Sequence, residues 1–586
     1  MVTIHAIESR WRLPGVAPGE AQALAETLAI SIPAARVLLA RGYHDAAKAR
    51  RFLCPSIEDL NDPFLMCGMR VALDRLRRAI AGSEKILLYG DYDVDGTASV
   101  VIVKKAIEMA GGKVGFYIPH RIRDGYGMRN EAIEQAASDG VTLIVSLDTG
   151  IRASAAVARA TELGIDVIVT DHHLPDAELP RACAVLNPKQ PACEYPDKDL
   201  CGAGVAFKLV QALLGSLGWP ADKVRRMTES FLKVVAIATV ADVVPLTGEN
   251  RVIVKFGLDG LRSVRSPGLR ALLDVAGCAP GEPVTANNVA FRIAPRMNAA
   301  GRMADANEIV NLLLTENEEQ ARAIAARLQD LNRERQDVQS EIVRVILEEC
   351  LAAPVRDDQA ALVFAGKEWH RGVVGIVAGR LADRFHRPVF VLAEDSEQGV
   401  MQGSGRSTPA FHLLEALESM QDLLIRFGGH RQAAGLTLAS ERVEEFRLRL
   451  GVYAAARLTP ADFVAEIEVD APLALQEIDD RVVADILAME PFGCGNPAPV
   501  FAAFGTEVAG PPAPLGDRHL LIRLGQNNRT LRFKAWGFAG RAAEFAPGAR
   551  LDAAFSIESD DYAAARGYPG WCAVLKDVRG AGSAEA

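Results

Sequence analysis

Carboxylate and imidazole side chains gather at the ends of short apolar runs in this sequence. The segment GDYDVDG at 90–96 carries three alternating aspartates, and Asp148, Asp242 and the run DHH at 171–173 add further acids and two histidines. Acids spaced so closely repel one another when buried, unless divalent cations neutralise them. A mixed set of carboxylates and imidazoles suits Mn²⁺ or Mg²⁺ better than zinc. The pattern predicts a two-metal site, and phosphodiester hydrolysis is the reaction that most often uses one.

An acidic turn can also have a purely structural role. Asp95 precedes a helical stretch over 97–110, so a helix cap is the alternative for this residue. Capping needs only one acid, whereas this turn has three. The adjacent His172 and His173 have a similar alternative as a hydrogen-bonded surface pair.

The elements that must position these residues are short apolar strands. Five runs alternate with helical stretches, namely 86–89, 114–118, 143–147, 167–170 and 184–186. Such alternation predicts a mainly parallel α/β sheet. The aspartates at 91, 93, 95, 148 and 171 fall just past the carboxyl ends of these strands, where open parallel sheets place their ligand crevice.

The remaining chain predicts further domains. Apolar residues recur at three- and four-residue spacing through 318–351, which indicates a helix of roughly 50 Å. We expect it to connect two bodies, with a coiled-coil dimer as the less favoured alternative. The predicted divisions are a helical cap (1–75), an α/β domain with the metal site (76–315), the connector helix (316–352), a second α/β domain (353–460), a small β-barrel (461–578) and a disordered tail (579–586).

Composition restricts the class of protein. The 586 residues are 49% hydrophobic and 24% charged, with a formal net charge of −10. This balance argues against broad wrapping of duplex nucleic acid but leaves room for a local basic groove. The first thirty residues contain no leader-like apolar core, no apolar run reaches the ~20 residues of a membrane span, and the nine cysteines form no C-x-x-C pair. We therefore expect a cytoplasmic protein without a membrane partner.

Two later segments carry chemistry of their own. Ser404, Gly405 and Arg406 offer a hydroxyl, backbone amides and a guanidinium to a terminal phosphate, with a simple turn as the alternative. In the predicted barrel, a basic and aromatic set suits a single nucleic-acid strand. That set comprises Arg523, Arg532, Lys534 and Trp536, whereas Phe533 is expected in the barrel core.

Six motifs in order give the chain a specific resemblance. They are GDYDVDG (90–96), SLDTG (146–150), ADVVPL (241–246), RMNAAGR (296–302), SGRS (404–407) and GGHRQAAG (428–435), in addition to DHH at 171–173. Together they resemble the DHH phosphoesterase superfamily, and within it the RecJ-type family of single-strand-specific exonucleases. The resemblance implies an α/β fold class: two α/β lobes, a DHH phosphoesterase domain and a DHH-associated domain, are joined by the long helix and followed by an oligonucleotide-binding β-barrel.

The resemblance also implies roles for particular residues. The implied ligands of two Mn²⁺ or Mg²⁺ ions are Asp91, Asp93, Asp95, Asp148, His172 and Asp242. Asp148 would bridge the ions and His173 would orient the scissile phosphate, so the implied catalytic set is Asp93, Asp95, Asp148, His172, His173 and Asp242. Related proteins carry a His where this chain has Tyr89, and Asp91 is the candidate replacement. The implied substrate-phosphate contacts are Arg121, Arg296, Arg302, Ser404, Arg406 and His430.

The function that the resemblance implies is metal-dependent 5′→3′ exonuclease action on single-stranded DNA. It would release mononucleotides in DNA repair and recombination. The implied partners are a single-strand-binding protein and a helicase, and we expect a monomer. Two alternatives stay open: a smaller-substrate phosphoesterase of the same superfamily, and a catalytically silent scaffold that binds single strands.

Overall fold

The computed structural model describes residues 9–125, 127–356, 358–564, 566–567 and 569–582. These residues form two compact units. The larger unit comprises 61–244 and 256–464, and the smaller unit comprises the described parts of 1–60, 245–255 and 465–586.

The regular elements are numbered here in chain order. The strands are β1 (Arg10–Arg12), β2 (Lys85–Tyr89), β3 (Lys113–Tyr117), β4 (Val141–Leu147), β5 (Asp166–Thr170), β6 (Ala184–Leu186), β7 (Leu362–Gly366), β8 (Val389–Asp395), β9 (Val400–Arg406), β10 (Leu424–Gly429), β11 (Ala433–Ala439), β12 (Glu466–Glu468), β13 (Ala471–Pro472), β14 (Val500–Val508), β15 (Ala513–Leu515), β16 (His519–Gln526), β17 (Arg529–Ala535), β18 (Arg550–Ser559) and β19 (Trp571–Gly580). The α-helices are α1 (Pro18–Leu28), α2 (Ile32–Ala40), α3 (Ala46–Leu53), α4 (Met69–Ala81), α5 (Val94–Met109), α6 (Asn130–Ser138), α7 (Ser154–Glu162), α8 (Gly202–Gly215), α9 (Ala221–Ala241), α10 (Gly248–Leu261), α11 (Pro267–Val275), α12 (Ala286–Asn288), α13 (Ala294–Met303), α14 (Asn307–Leu314), α15 (Glu318–Ala352), α16 (Val374–Phe385), α17 (Leu413–Glu418), α18 (Val443–Ala455), α19 (Asp480–Leu487) and α20 (Asp561–Ala564).

The first sheet of the larger unit is parallel throughout. Its strand order is β3-β2-β4-β5-β6, so the chain leaves β2 toward one side for β3 and returns to the other side for β4. This reversal creates a crevice beyond the carboxyl ends of β2 and β4, the usual ligand position in open α/β sheets. The five strands predicted from the apolar runs are all present, and the α/β class is confirmed.

The second sheet of the larger unit is mixed, in the order β10-β11-β9-β8-β7. Strands β7 and β8 are parallel and the remaining neighbours are antiparallel. Strand β10 was absent from the sequence prediction because LIRFGG combines exposed residues with two glycines. It is stabilised by its pairing with β11, which residue pattern alone does not reveal.

The expected long helix is confirmed as α15, 35 residues in length. Its apolar stripe is buried within the larger unit, where α15 packs against α11, α13, α14 and α16. Leu328, Ile342 and Ile346 are among the buried residues of this stripe. The apolar stripe is therefore buried within its own unit rather than exposed on a surface that could form a coiled coil.

The smaller unit contains a closed five-stranded barrel. Strand β14 pairs with both β18 and β16, and the closed order is β14-β16-β17-β19-β18. Only β17 and β19 pair in parallel within this circuit. This order is the Greek-key arrangement of an oligonucleotide-binding fold, as expected from the sequence. Phe533 is fully buried in the barrel core, as predicted.

The chain segments before residue 61 belong to this smaller unit. Strand β1 pairs with β12, and helices α1–α3 share a hydrophobic core with the barrel strands. The boundary predicted at residue 75 falls inside α4. The sequence does not reveal this grouping because the packed segments lie more than 400 residues apart.

The first residues of the predicted disordered tail (579–586) belong to a strand. Strand β19 continues to Gly580, and Arg579 lies 4.5 Å from the Trp11 ring in a cation–π contact while pairing with Asp552. These contacts hold the first two residues of the predicted tail in a strand. Residues 583–586 lie outside the described residues.

Among the described helices, none alone is both long enough and apolar enough to span a membrane. The helices α1 and α2 meet these criteria only as a pair, and that pair is bent by 112°.

Packing between α9 and α10 depends on a glycine. A Cβ at Gly257 would lie 2.3 Å from the Ala236 Cβ, so we expect Gly257→Ala to lower the melting temperature, at a cost of about 1–3 kcal/mol. Gly451→Ala in α18 meets no atom within 4 Å and should stabilise the protein by about 0.5–1 kcal/mol. Thermal unfolding of both variants measures this difference, and equal shifts would contradict the packing argument.

Candidate metal centre and the adjoining cleft

Asp93 forms the amino-terminal cap of α5. Its Oδ1 accepts hydrogen bonds from the backbone N–H groups of Asp95 (2.9 Å) and Gly96 (3.0 Å). The helix begins at Val94, three residues earlier than the sequence indicates. The capping role that we considered for Asp95 therefore belongs to Asp93, and this cap leaves the Asp95 side chain available for other contacts.

Asp95 is directed at the start of a different helix. Its carboxylate, 1% exposed, accepts hydrogen bonds from the N–H groups of Gly202 (2.6 Å) and Ala203 (2.8 Å) in the first turn of α8. Burial raises the pKa of Asp95 to about 6, and the charge of Asp93 adds to the increase. The two amides act in the opposite direction and favour the carboxylate form.

Asp148 lies directly after β4, in the crevice of the first sheet. Its backbone has a φ of 60°, and its Oδ1 lies 3.3 Å from the His172 Nε2. A Cβ at Gly202 would lie 2.5 Å from this Oδ1, so α8 approaches Asp148 closely only because residue 202 is a glycine. Burial raises the pKa of Asp148 well above its usual value, and the charges of Asp95 and Asp93 raise it further.

His172 and Asp242 complete the buried centre. The His172 Nε2 lies 3.6 Å from the Asp242 Oδ2 and 3.8 Å from the Asp95 Oδ2. Burial lowers the pKa of His172 to about 3, so its imidazole is neutral at physiological pH. Among the described residues, neither ring nitrogen of His172 nor the Asp242 Oδ2 has a hydrogen-bond partner. Buried polar atoms without partners are costly, and a bound cation would satisfy the Nε2 and the carboxylate oxygen.

The predicted ligands fall into three groups whose donor atoms lie within 4.8 Å of one another. These groups are Asp91 with Asp93 and Asp148, Asp95 with His172 and Asp242, and Asp148 with both histidines of the DHH run. Asp148 and His172 each belong to two groups, and Asp148 is the one of the two with a pair of oxygen donors. The oxygen and nitrogen donors fit two divalent cations of the Mn²⁺ or Mg²⁺ type.

Tyr89 has a separate structural role. Its buried hydroxyl donates to the Gly127 carbonyl (3.1 Å) and accepts from the Arg129 N–H (3.2 Å). Burial raises the pKa of this phenol, so it remains protonated. With that hydroxyl engaged, the nearest acid beyond the end of β2 is Asp91, which shares a donor group with Asp93 and Asp148.

Asp171 holds the neighbouring imidazole. Its Oδ1 lies 2.7 Å from the His173 Nδ1 and accepts from the N–H groups of His172 and His173, while its Oδ2 accepts from the Ile151 N–H. Burial alone would lower the pKa of His173, but the hydrogen bond to Asp171 outweighs burial and raises it. The sequence prediction counted Asp171 in the acidic cluster at the strand ends but did not include this contact with His173, although its place before two histidines could have indicated it.

A cleft of about 690 Å³ opens beside His173 within the larger unit. Segments after the first sheet line one side, and β9–β11 with the start of α16 line the other. Its basic residues were not predicted from the sequence because they lie outside the recognised motifs. They are Arg152, Arg371 and Arg426, while the predicted Ser404 and His430 also line the cleft.

Ser404 and Arg406 face the first turn of α16. A Cβ at Gly375 would lie 3.3 Å from both the Arg406 Nη2 and the Ser404 Oγ, which places hydroxyl and guanidinium beside the helix amides. Such a helix terminus favours anions. Burial lowers the pKa of Arg406, and the nearby charge of Arg121 contributes.

Arg302 belongs to the same positive cluster. Its Nη1 donates to the Gly372 carbonyl (3.1 Å), and burial followed by the charge of Arg121 lowers its pKa to about 9. Arg335 of α15 also contributes to this lowering, although the sequence prediction did not include it. Arg335 is 8% exposed and donates to Asn332 and Gln339, so it contributes buried positive charge.

Two predicted phosphate contacts occupy different environments. Arg296 donates to Gln329 (2.6 Å) and to the Arg292 carbonyl. Burial lowers the pKa of Arg296, and the charges of Arg292 and Arg333 add to the lowering; neither of these arginines belongs to the predicted phosphate set. His430 is exposed at the cleft, and burial with the charges of Arg152 and His173 lowers its pKa.

Three sequence families match this chain. The family described as "DHH family, N-terminal domain" matches residues 85–239, "DHHA1 domain" matches 357–453, and "RecJ OB domain" matches 469–567. These ranges include the whole first sheet, the whole second sheet and most of the barrel, respectively.

Curated relatives match over most of the chain. The single-stranded-DNA-specific exonuclease RecJ of Bacillus subtilis (strain 168) is 42% identical over 494 residues, which cover 84% of this chain and 61% of that protein. The protein of the same name from Dickeya dadantii (strain 3937) is 38% identical, covering 80% of this chain and 83% of the relative.

Solved structures of one further relative are similar. RecJ from Thermus thermophilus in complex with Mn²⁺ has a TM-score of 0.83 at 31% identity, covering 99% of this chain and 81% of that one. Its complex with Mg²⁺ gives a TM-score of 0.76 at 29% identity, covering 99% and 79%.

The burial of these acids leads to a prediction about the stability of the metal-free protein. In chelator, Asp148→Asn should raise the melting temperature, because the amide removes a buried carboxylate whose ionised form is repelled by Asp95 and Asp93. The same variant should lose most of the stabilisation that Mn²⁺ gives to the unmodified protein. Asp74→Asn, at an exposed position of α4, is the control and should change neither quantity. A lower melting temperature of Asp148→Asn in chelator would contradict this account.

Proposed function

Because this chain belongs to the RecJ family of single-stranded-DNA-specific exonucleases, we propose that it hydrolyses single-stranded DNA from the 5′ end and releases mononucleotides. The activity serves DNA repair and recombination. The observation that carries the proposal is the buried centre of carboxylates and imidazole beside a basic cleft. A catalytically silent scaffold would not need to keep so many buried acids together, since their desolvation is costly.

Two divalent cations, Mn²⁺ or Mg²⁺, would be held by the proposed ligands Asp91, Asp93, Asp95, Asp148, His172 and Asp242. When bound, such cations lower the pKa of a water molecule and neutralise charge on the phosphate during in-line displacement. Asp148 would contribute to both cation sites, consistent with its membership of two donor groups. The α8 amides hold the Asp95 carboxylate in a fixed orientation, which reduces the reorganisation needed when a cation binds.

His173 has a proposed role in the cleft rather than in the cation sites. Its Nδ1 is engaged by Asp171, and its raised pKa favours the protonated form. The protonated ring would donate a hydrogen bond to the scissile phosphate and stabilise its developing negative charge. Asp171 is then a positioning residue, because it holds the ring without touching the substrate.

The 5′→3′ direction of degradation would follow from a pocket that binds the terminal phosphate of the strand. Ser404, Arg406 and the first turn of α16 would bind this phosphate, with Arg302 and Arg121 supplying further charge. Arg296 and His430 remain proposed contacts along the strand. A fixed end pocket beside the metal centre would select one terminal phosphodiester for cleavage.

The barrel would bind the single-stranded DNA at nucleotides away from its 5′ end. Arg523 and Arg532 are exposed and directly opposite each other on β16 and β17. Like charges in this position are destabilising unless an anion lies between them. Trp536 is 49% exposed and packs edge-to-face on His519, which leaves part of its ring available for base stacking.

The proposed division of labour is given in the ranges expected from the sequence, although the boundary at residue 75 falls inside α4 and residues 245–255 belong to the smaller unit. Residues 76–315 would carry the metal centre, 353–460 the terminal pocket and 461–578 the strand-binding barrel, with 316–352 as connector. A helicase and a single-strand-binding protein are the proposed partners, because a single-strand-specific enzyme needs unwound ends. We propose that the protein acts as a monomer in the cytoplasm.

A time course on end-labelled strands tests the function. With Mn²⁺ or Mg²⁺, labelled mononucleotide should appear at once from 5′-labelled single-stranded DNA and only late from 3′-labelled strands. Chelator should stop the reaction, and matched duplex should remain intact. Cleavage confined to very short oligomers would favour a small-substrate phosphoesterase, and strand binding without cleavage would favour the scaffold.

Arg406 provides a test of the end pocket. Arg406→Ala should reduce the preference for a 5′-phosphorylated over a 5′-hydroxyl strand by roughly 10-fold or more, which corresponds to a charge-assisted contact of about 1.5–3 kcal/mol. Competition assays with the two strands measure this ratio. Arg449→Ala on α18, which removes a partly exposed arginine paired with Asp422, is the matched control. An unchanged preference in Arg406→Ala would overturn the pocket assignment.

A further inference from the structure

Arg335 of α15 is a buried cation without a counter-ion. The residue is 8% exposed, and among the described residues no carboxylate pairs with it. Its Nη2 donates to the Asn332 Oδ1 (2.7 Å) and its Nη1 to the Gln339 Oε1 (2.8 Å), both of which belong to neutral side chains of the same helix. Its Nε has no hydrogen-bond partner in the described part of the chain. A buried charge that is left unpaired is costly, and a bound anion would compensate it.

The packing of α13 on α15 determines where Arg335 lies in the larger unit. The Arg296 Nε of α13 donates to the Gln329 Oε1 of α15 (2.6 Å). Farther along both helices, Met303 and Val338 pack against one hydrophobic cluster. The two helices therefore run side by side in the same direction.

Arg335 consequently lies next to Arg302. It precedes Val338 by three residues, so the two side chains share one face of α15, and Arg302 directly precedes Met303. The electrostatics agree with this placement, because burial lowers the pKa of Arg302 to about 9 and the charges of Arg121 and Arg335 add to the lowering. Arg335 thus adds positive charge to the cluster that contains Arg302.

The negative charge near this cluster comes from Asp93, which opposes the lowering of the Arg302 pKa. Asp93 is also a proposed cation ligand, and a bound Mn²⁺ or Mg²⁺ would neutralise its charge. The cluster would then contain the positive charges of Arg121, Arg302, Arg335 and Arg406 without an equal number of acids. Attraction between charges grows in proportion to the charge of each partner, so such a cluster favours an anion with two charges over an anion with one.

We infer that Arg335 is a positioning residue that makes the proposed end pocket selective for a doubly charged phosphate. It acts without touching the strand, since its hydrogen bonds are made within α15. A terminal phosphomonoester carries about −1.5 to −2 charges at neutral pH, whereas an internal phosphodiester carries only one. This inference rests on the proposed binding of the 5′ phosphate by Ser404, Arg406 and the first turn of α16. Its consequence is that the pocket accepts the end of a strand in preference to its interior.

The contact between Asn332 and Arg335 allows the charge to be neutralised in place. Asn332→Asp converts the accepting amide into a carboxylate of the same shape, so the guanidinium stays and gains a counter-ion. We expect this variant to reduce the preference for a 5′-phosphate over a 5′-hydroxyl strand roughly 5-fold or more, because the terminal phosphate then meets one fewer uncompensated charge. Arg335→Met should have the same effect, whereas Arg335→Lys keeps the charge and should retain most of the preference.

Binding of three short single strands to the full chain measures this preference without cleavage. The strands differ only at the 5′ end, which carries a phosphate, a methyl phosphate with a single charge, or a hydroxyl. Their first internucleotide linkage is a methylene-bridged phosphonate, which keeps its charge but resists hydrolysis. Fluorescence anisotropy with Mg²⁺ present gives the three affinities. In Asn332→Asp the phosphate strand should lose most affinity, the methyl phosphate strand less and the hydroxyl strand least.

Two exposed positions of α15 provide matched controls. Gln336→Glu adds the same negative charge as Asn332→Asp, but on the solvent-exposed side of the helix. Arg344→Met removes an arginine, as Arg335→Met does, but one that is exposed and paired with Glu341. Both controls should bind the three strands like the unmodified protein, because exposed charges are screened by solvent.

The outcomes distinguish this inference from the proposed function. Equal binding of the three strands by the unmodified protein overturns the end pocket itself. If the unmodified protein prefers the phosphate, an unchanged preference in Asn332→Asp overturns the inference alone. An equal loss for all three strands, or a loss in Arg335→Lys as large as in Arg335→Met, also overturns it, because either result indicates a structural role. If Arg335→Met does not fold, Asn332→Asp decides, since it keeps the shape of both side chains.

Discussion

Repulsion and desolvation among buried carboxylates are the constraint on which the larger unit depends. Asp91, Asp95 and Asp148 lie almost without solvent contact in one crevice, and the pKa of each is raised by burial first and by neighbouring acids second. The fold offsets part of this cost with backbone amides, at the start of α5 for Asp93 and at the start of α8 for Asp95. The His172 and Asp242 side chains keep buried polar atoms without hydrogen-bond partners among the described residues, and a bound cation would satisfy them.

This constraint also explains the backbone at the crevice. Bringing acids from β2, β4 and α9 together requires helices to approach the strand ends closely, and Gly202 is the point where α8 reaches Asp148. Left-handed backbone conformations occur at the proposed ligand Asp148 and at Val243, which follows the proposed ligand Asp242. Close approach and backbone strain thus both occur where the chemistry is expected.

Local patterns in the sequence were sufficient to predict the parallel sheet, the long helix and the cluster of acids, because strand ends and acid spacing are local properties, whereas the proposed ligand set came from the family resemblance. Pairings between segments distant in the sequence could not be predicted from local patterns. β10 depends on β11, the helices before residue 61 pack on a barrel formed after residue 465, and Asp171 acts through a ring that only the folded turn brings to it. Arg371 and Arg426 lie outside any motif, so only the folded cleft reveals them. Conversely, Arg296 was chosen from its motif, but its hydrogen bonds are made to Gln329 and Arg292.

The smaller unit is assembled from three separate stretches of chain, and this has a consequence for synthesis on the ribosome. Helices α1–α3 are synthesised before the strands that complete their core, which begin about 400 residues later in the chain. At a translation rate of about 5–20 residues per second, roughly 20–80 s pass before the strands that cover the apolar faces of these helices are synthesised. During that interval the chain of the larger unit is synthesised, while the apolar faces of the three helices lack their partners from the barrel. The order of translation thus makes the core of the smaller unit complete only after the larger unit has been synthesised.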